Sequence, residues 1–214
     1  MGDDALAEFV GILLGDGNIG IYNFTVKGRI KTQYRIKITL NSIKDKECSI
    51  YVVGLIKTIF GKDPKVNFRK NVNAVDIYLL GKKYLDVLTE LGLVLAPKLG
   101  RARIPKRFMV SGSDLLILRG YLDTDRCISC VNNNGIRYPR LEMKICPSPM
   151  QDQLISILSK YGLNQQVNKL EKGKVRVCLA GIPKLRKWTQ LIGFSNPRNQ
   201  KIANSFLSSS SSVL

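Results

Sequence analysis

Two aspartates, Asp16 and Asp125, stand at the same point of two similar segments. Phe9-Val-Gly-Ile-Leu-Leu-Gly-Asp-Gly17 reads as an apolar helix ending in an acid and a glycine. Leu118-Arg-Gly-Tyr-Leu-Asp-Thr-Asp-Arg126 has the same layout at an offset of 109 residues, 16 to 125. Gly11 then matches Gly120, and Gly15 matches Thr124. A lone Asp-Gly after a helix ordinarily only ends that helix; its recurrence in both segments argues for a shared task. Two carboxylates brought together repel, and the negative ends of two helix dipoles add to the repulsion. The arrangement makes sense with cations between them. Mg²⁺ is typically held by one or two carboxylates together with waters and phosphate oxygens. The corresponding chemistry is hydrolysis of two phosphodiesters, with metal activating water and stabilising the leaving oxygen. The chain contains no histidine. Ser-His-Asp and Cys-His centres are therefore excluded, as are His-ligated metals.

The charge fits such a substrate. The 214 residues carry 34 Lys and Arg against 16 Asp and Glu, a net of +18, which favours a polyanionic partner. Nucleic acid is the first candidate. A membrane surface is less suited, because no apolar run approaches the ~20 residues of a spanning helix. The start, Met1-Gly-Asp-Asp, is acidic, unlike a signal or transit peptide. Five cysteines, an odd number, suggest a reduced intracellular protein. Cys127 and Cys130 are spaced as C-x-x-C, but lack the second pair or the histidines of a zinc site.

The elements that must position the acids also repeat. After the first motif the pattern predicts a hairpin of 19–25 and 33–40 with a turn near Lys27-Gly28. After the second it predicts 127–131 and 140–146 with a turn at Asn134-Gly135, a strong hairpin signal. Helices follow at 43–60 and 149–161, each stopped by glycine. Second hairpins follow at 64–70 with 74–80 and at 165–170 with 174–180, then closing helices at 82–91 and 183–192. The fold class is α+β, an αββαββα unit occurring twice about a pseudo-twofold axis. The expected organisation is a first repeat at 1–95, a connection at 96–113, a second repeat at 114–207 and a disordered Ser-rich tail at 208–214. Gly11 and Gly15 share a helix face, and small residues at that spacing let two backbones approach. Packing the two motif helices on the axis would bring Asp16 and Asp125 together.

Strand alternation gives each sheet an apolar and a polar face. Ile36, Ile38 and Leu40 oppose Arg35, Lys37 and Thr39; Leu141, Met143 and Ile145 oppose Arg140, Glu142 and Lys144. Val66 and Phe68 oppose Lys65, Asn67 and Arg69; Val75, Ile77 and Leu79 oppose Asp76 and Tyr78; Val175 and Val177 oppose Lys174 and Arg176. Such a mixture suits base edges in a major groove, and Asn168 extends it. Lys27, Arg29, Lys31 and Arg137 in the loops suit phosphates.

These two motifs, with their matching downstream elements, resemble the LAGLIDADG homing endonucleases, specifically the single-chain type with two motifs encoded in introns. The resemblance spans about residues 5–204. It implies a saddle of antiparallel sheets over a long DNA site, and a monomer that cuts across the minor groove to leave short 3′ overhangs. It implies Asp16 and Asp125 as metal-binding acids, with the backbone carbonyls of Gly15 and Thr124 beside them. Mg²⁺ is the expected metal, with Mn²⁺ substituting and Ca²⁺ occupying the site without turnover. Asp123, matching Leu14, is expected to serve local hydrogen bonding. Where the family often has a solvent-organising Gln or Lys, this chain has Asn41 and Pro147. Asn41 could order a water; Lys98, Lys37 and Lys144 are candidates for the positive charge at the phosphate. Arg126 stands where the family usually has glycine, which would be strained if that position needs positive φ. An intron-RNA-binding maturase, or a DNA-binding protein that does not cut, is the alternative on the same scaffold.

Overall fold

The computed structural model describes residues 3–124 and 128–209. The first copy runs α1 (Asp3–Gly15), β1 (Gly17–Val26), β2 (Arg29–Leu40), α2 (Lys46–Phe60), β3 (Lys65–Phe68), β4 (Val75–Leu80) and α3 (Lys82–Glu90). The second runs α4 (Ser113–Thr124), β5 (Ile128–Asn133), β6 (Ile136–Ile145), α5 (Met150–Lys160), β7 (Gln166–Lys169), β8 (Val175–Ala180) and α6 (Ile182–Leu191). The described elements thus follow the expected αββαββα order twice. A further helix, α7 (Pro197–Ser209), follows the second copy. Each copy holds one antiparallel four-stranded sheet, ordered β1-β2-β4-β3 and β5-β6-β8-β7.

Local chemistry sets these elements. The first hairpin turns at Lys27-Gly28 with φ of 49° and 72°, and its counterpart at Asn134-Gly135 with 50° and 85°. Two successive positive φ values match the right-handed twist of the paired strands. α2 ends at Gly61, where left-handed backbone lets its N–H bond to the Lys57 carbonyl. Alternation buries Ile36, Ile38, Val75, Ile77 and Leu79 of one sheet, and Leu141, Met143, Ile145, Val177 and Leu179 of the other, in one continuous core with the helices. The opposite face of each sheet is left open.

Helices α1 and α4 form the centre, and their contact is reciprocal. A side chain at Gly11 would run into the Ile117 carbonyl, and one at Gly120 into the Glu8 carbonyl. Glu8 and Ile117 are equivalent positions, as are Gly11 and Gly120. The contact is therefore self-complementary about a twofold axis within one chain. One asymmetric feature crosses it: the buried Glu8 carboxylate accepts from Arg119 of α4 at 2.5 Å and from the Tyr51 hydroxyl at 2.8 Å.

The connection is tied to both copies. The Ala96 amide donates to the Ile19 carbonyl, the Gly100 amide to the Pro147 carbonyl and the Met150 amide to the Ala102 carbonyl. The Gln153 carboxamide pairs with both backbone groups of Ile104.

Two expectations need correction. Val66 and Phe68 do not enter the core; they remain 44% and 64% exposed, because β3 is the edge strand of its sheet and all four of its residues are exposed. Ser208 and Ser209 are the last residues of α7, so the helix enters the serine run; 210–214 lie outside the described residues.

Candidate functional site

Asp16 follows the last residue of α1 and is exposed. At this end of the axis a Cβ on Gly15 would lie 2.6 Å from the Thr124 hydroxyl. The residues that precede Asp16 and Asp125 in the chain thus face each other closely. Asp125, Arg126 and Cys127 lie outside the described residues. Gly17 does not adopt positive φ. It is required for space instead: a Cβ there would strike the Leu13 backbone and lie 2.7 Å from its carbonyl oxygen. The strain expected at this point of the motif is therefore steric in the first copy.

Lys98 reaches back from the connection to α1. Its ammonium donates to the carbonyls of Leu13, Leu14 and Gly15 at 3.0, 2.9 and 2.8 Å. These carbonyls belong to the last turn, where no intrahelical donor remains, and a cation opposes the negative end of the helix dipole. The Gly15 carbonyl, expected to contact metal, already accepts Lys98, with a second lone pair remaining. Beside it lies a cleft of about 400 Å³ lined by Asp16, Lys98, Tyr121, Lys144, Cys146 and Ser148 among others. The Tyr121 hydroxyl donates to the Lys144 carbonyl at 3.0 Å, tying α4 to the strand that carries this lysine. A larger groove of about 760 Å³, lined by Leu91, Arg103, Lys106 and Gln153 among others, holds none of the expected site residues.

The other expected residues fall as follows. Asn41 lies just beyond β2, where its carboxamide oxygen accepts the amides of Ile43 and Lys44 at 3.0 and 2.8 Å. That oxygen shapes the turn into α2, which leaves the amide group for any solvent role. Thr124 turns its hydroxyl back onto the carbonyls of Gly120 and Tyr121. On the open face of the first sheet, Asn18, Lys37, Tyr78 and Lys65 lie side by side across the strands, next to Thr39, Asp76 and Asn67. Arg35 stacks 3.9 Å over the Tyr22 ring, and that ring occupies the space left by Gly20. On the second sheet, Lys144, Arg176 and Asn168 form one row; Arg140 and Glu142 occupy the next two positions along. Lys27, Arg29, Lys31, Arg137 and Lys174 are exposed around the hairpins.

Asp76 differs from expectation. It is only 3% exposed and faces side chains of its own sheet. One oxygen accepts Thr39 at 2.6 Å and Arg69 Nη2 at 2.8 Å; the other accepts Arg69 Nε at 2.8 Å and Tyr78 at 2.9 Å. Burial alone would raise its pKa, but these bonds and the nearby Lys37 charge hold it well below the usual carboxylate range. With four donors satisfied, Asp76 is not placed to accept from a base.

Asp123, next in the motif, is buried at the base of α7. It accepts the amides of Ser195 and Asn196 at 2.5 and 2.9 Å and the Asn199 carboxamide at 2.7 Å. It therefore anchors α7 rather than reaching the cleft. Burial pushes its carboxyl up to about 6 against the pull of these bonds. The folded chain thus holds this proton more tightly than the unfolded chain, which releases it near about 4. The group's stabilising effect is full below about pH 4 and is lost as pH rises through about 6. Asp123→Asn is expected to remove about 2–3 kcal/mol of stability change between about pH 4 and pH 7. Urea midpoints across that range check it; parallel curves for variant and unaltered protein would refute the shift.

No protein-family model matches the sequence, and no curated protein matches it. Solved structures do. The meganuclease I-SmaMI, in a crystal structure bound to uncleavable DNA, superposes with a TM-score of 0.66 at 10% identity, over 97% of this chain and 90% of that one. The LAGLIDADG homing endonuclease I-LtrWI, bound to target DNA, gives 0.65 at 11% identity over 98% and 91%. I-DmoI, in complex with DNA and Mn, gives 0.58 at 15% identity over 90% and 98%. Across nearly the whole length of both partners, the chain has the fold of the LAGLIDADG homing endonucleases in its single-chain form with two copies.

Proposed function

We propose that this chain is a monomeric, sequence-specific DNA endonuclease that uses a divalent metal to cut both strands of a long duplex site. The observation that carries the reading is the placement of Asp16. It lies at the C-terminal end of a helix pair packed glycine to backbone, in a cleft with Lys98 and Lys144, between two open sheet faces rich in Lys and Arg. The structural neighbours bound to DNA, one of them with Mn, support the same direction.

The donors present suit a hard cation. Asp16 offers an exposed carboxylate and the Gly15 carbonyl a remaining lone pair, both oxygen. Asp125 and Thr124 are the proposed counterparts on the second copy. Mg²⁺ or Mn²⁺, when bound there, would supply an activated water and neutralise charge on the leaving oxygen. The chain's own groups do the rest. Lys98 offsets the negative end of α1, which would otherwise repel a phosphate. Lys144 offers a cation within the same cleft. The sheet faces hold the duplex in register, Arg35 being kept in place by its stacking on Tyr22. Two acid positions on one axis suit one cut per strand, with short 3′ overhangs as the proposed product.

Incubation with a randomised duplex library and Mg²⁺ or Mn²⁺ tests this. Cut ends of defined sequence, absent when the metal is chelated, are expected. Enrichment by binding without cut ends under either metal would instead favour the non-cleaving alternative. Binding is also expected to weaken at least tenfold between about 50 and 200 mM salt, as displaced counterions return to the phosphates. A salt-independent affinity would contradict a phosphate-dominated interface.

A further inference from the structure

We infer that Arg69 is a guanine-reading side chain in the first half of the site, and that Asp76 positions it without touching DNA itself. The inference rests on the endonuclease reading and names one of its specificity determinants.

The geometry is particular to this residue. Asp76 takes the Nε and one Nη2 hydrogen of Arg69, both at 2.8 Å, and is itself fixed by Thr39 and Tyr78. A guanidinium has five N–H donors in a rigid plane. Pairing along the Nε–Nη2 edge leaves the Nη1–Nη2 edge directed away from the carboxylate. Two parallel donors on that edge match the O6 and N7 acceptors of guanine in the major groove. The carboxylate is 5% exposed and the arginine 41%, so the acid is covered and the outer edge of the fork is accessible. Arg69 continues the outward alternation of Lys65 and Asn67 and lies on the open face. Holding the fork in advance removes the rotamer freedom that a long side chain otherwise loses on binding.

Other open-face arginines among the described residues lack this arrangement. Arg35 stacks on Tyr22, while Arg140 makes single bonds to Glu142 and Tyr138 at 3.5 and 3.2 Å. The second copy does not repeat the device. Asn168 pairs with Arg176 as Asn67 pairs with Asp76. Arg176 thus replaces the acid, and Leu170 stands where Arg69 would be. A guanine read this way belongs to one half of the target only, so the two halves should differ at that position.

The test is selection by binding from a randomised duplex library in Ca²⁺, comparing the unaltered protein with Arg69→Ala and Asp76→Asn. The unaltered protein should select guanine at one position of one half by about tenfold or more. Arg69→Ala should abolish that preference and leave others intact. Asp76→Asn should weaken it at the same position, with overall affinity within about threefold. A solely structural role for Asp76 would not move one base preference. A selected site that Arg69→Ala leaves unchanged, or a uniform loss of affinity from a phosphate contact, overturns this inference alone. No selected sequence with the unaltered protein overturns the endonuclease reading as well. Because Arg69 is partly exposed, its variant remains informative if Asp76→Asn unfolds.

Discussion

Asp16→Asn is expected to lower the rate of DNA cleavage by about 10³-fold while leaving binding of a selected duplex within about threefold. The reasoning is electrostatic. Charge stabilisation by a held cation is worth several kcal/mol in a transition state, and each ~1.4 kcal/mol is a factor of ten in rate. Asparagine keeps the size of the side chain but replaces an anionic oxygen with a donor, so the site loses its ligand without losing its shape. Single-turnover cleavage measured beside equilibrium binding separates loss of chemistry from loss of affinity. Unimpaired cleavage by the variant would remove Asp16 from the mechanism.

Gly120→Ala carries the second large effect, on stability. The added carbon would collide with the Glu8 carbonyl and lie 2.9 Å from the Ile12 amide nitrogen. Both obstacles are backbone, so no rotamer change relieves them and α1 must move from α4. Overpacking ordinarily costs about 1–3 kcal/mol; rigid neighbours place this case at roughly 4 kcal/mol or more, with Gly11→Ala similar by symmetry. The midpoint of thermal unfolding should fall by about 10 °C. Gly54→Ala provides the contrast. It is a helix-interior glycine of α2 with nothing near its absent side chain. Alanine there should stabilise by about 0.5–1 kcal/mol. Equal effects at Gly120 and Gly54 would show that helix propensity, not the closeness of the two backbones, governs the axis.

These glycines also show why so much of the fold was legible. Gly11 and Gly120 repeat at a fixed offset because each meets the other copy's backbone, and backbone contact admits no alternative side chain. Strand alternation was legible where a sheet lies beneath helices, as at Ile36, Ile38 and Met143. It misled at Val66 and Phe68, since alternation fixes which face a residue points to and not what covers that face. Asp76 illustrates a related limit. Alternation places it on the polar face, where it lies, but its partner Arg69 is across a turn, and local pattern carries no record of such a bond. Helix α7 carries its own sequence signals: Asn196 before Pro197, then Ile202, Ala203 and Phe206 at helical spacing. The sequence marks Lys98 only by its charge. Its hold on three α1 carbonyls, more than eighty residues earlier in the chain, exists only in three dimensions.

That hold places the natural seam of the molecule later than residue 95. Lys98 completes α1, whereas Gly100, Ala102 and Ile104 are bonded to the second copy. Only a few residues separate the two allegiances. A chimera joining this first half to a foreign second half must therefore retain Lys98, or its founding helix ends with three carbonyls unanswered. It must also take the following residues from the incoming partner, because they form part of that partner's own wall.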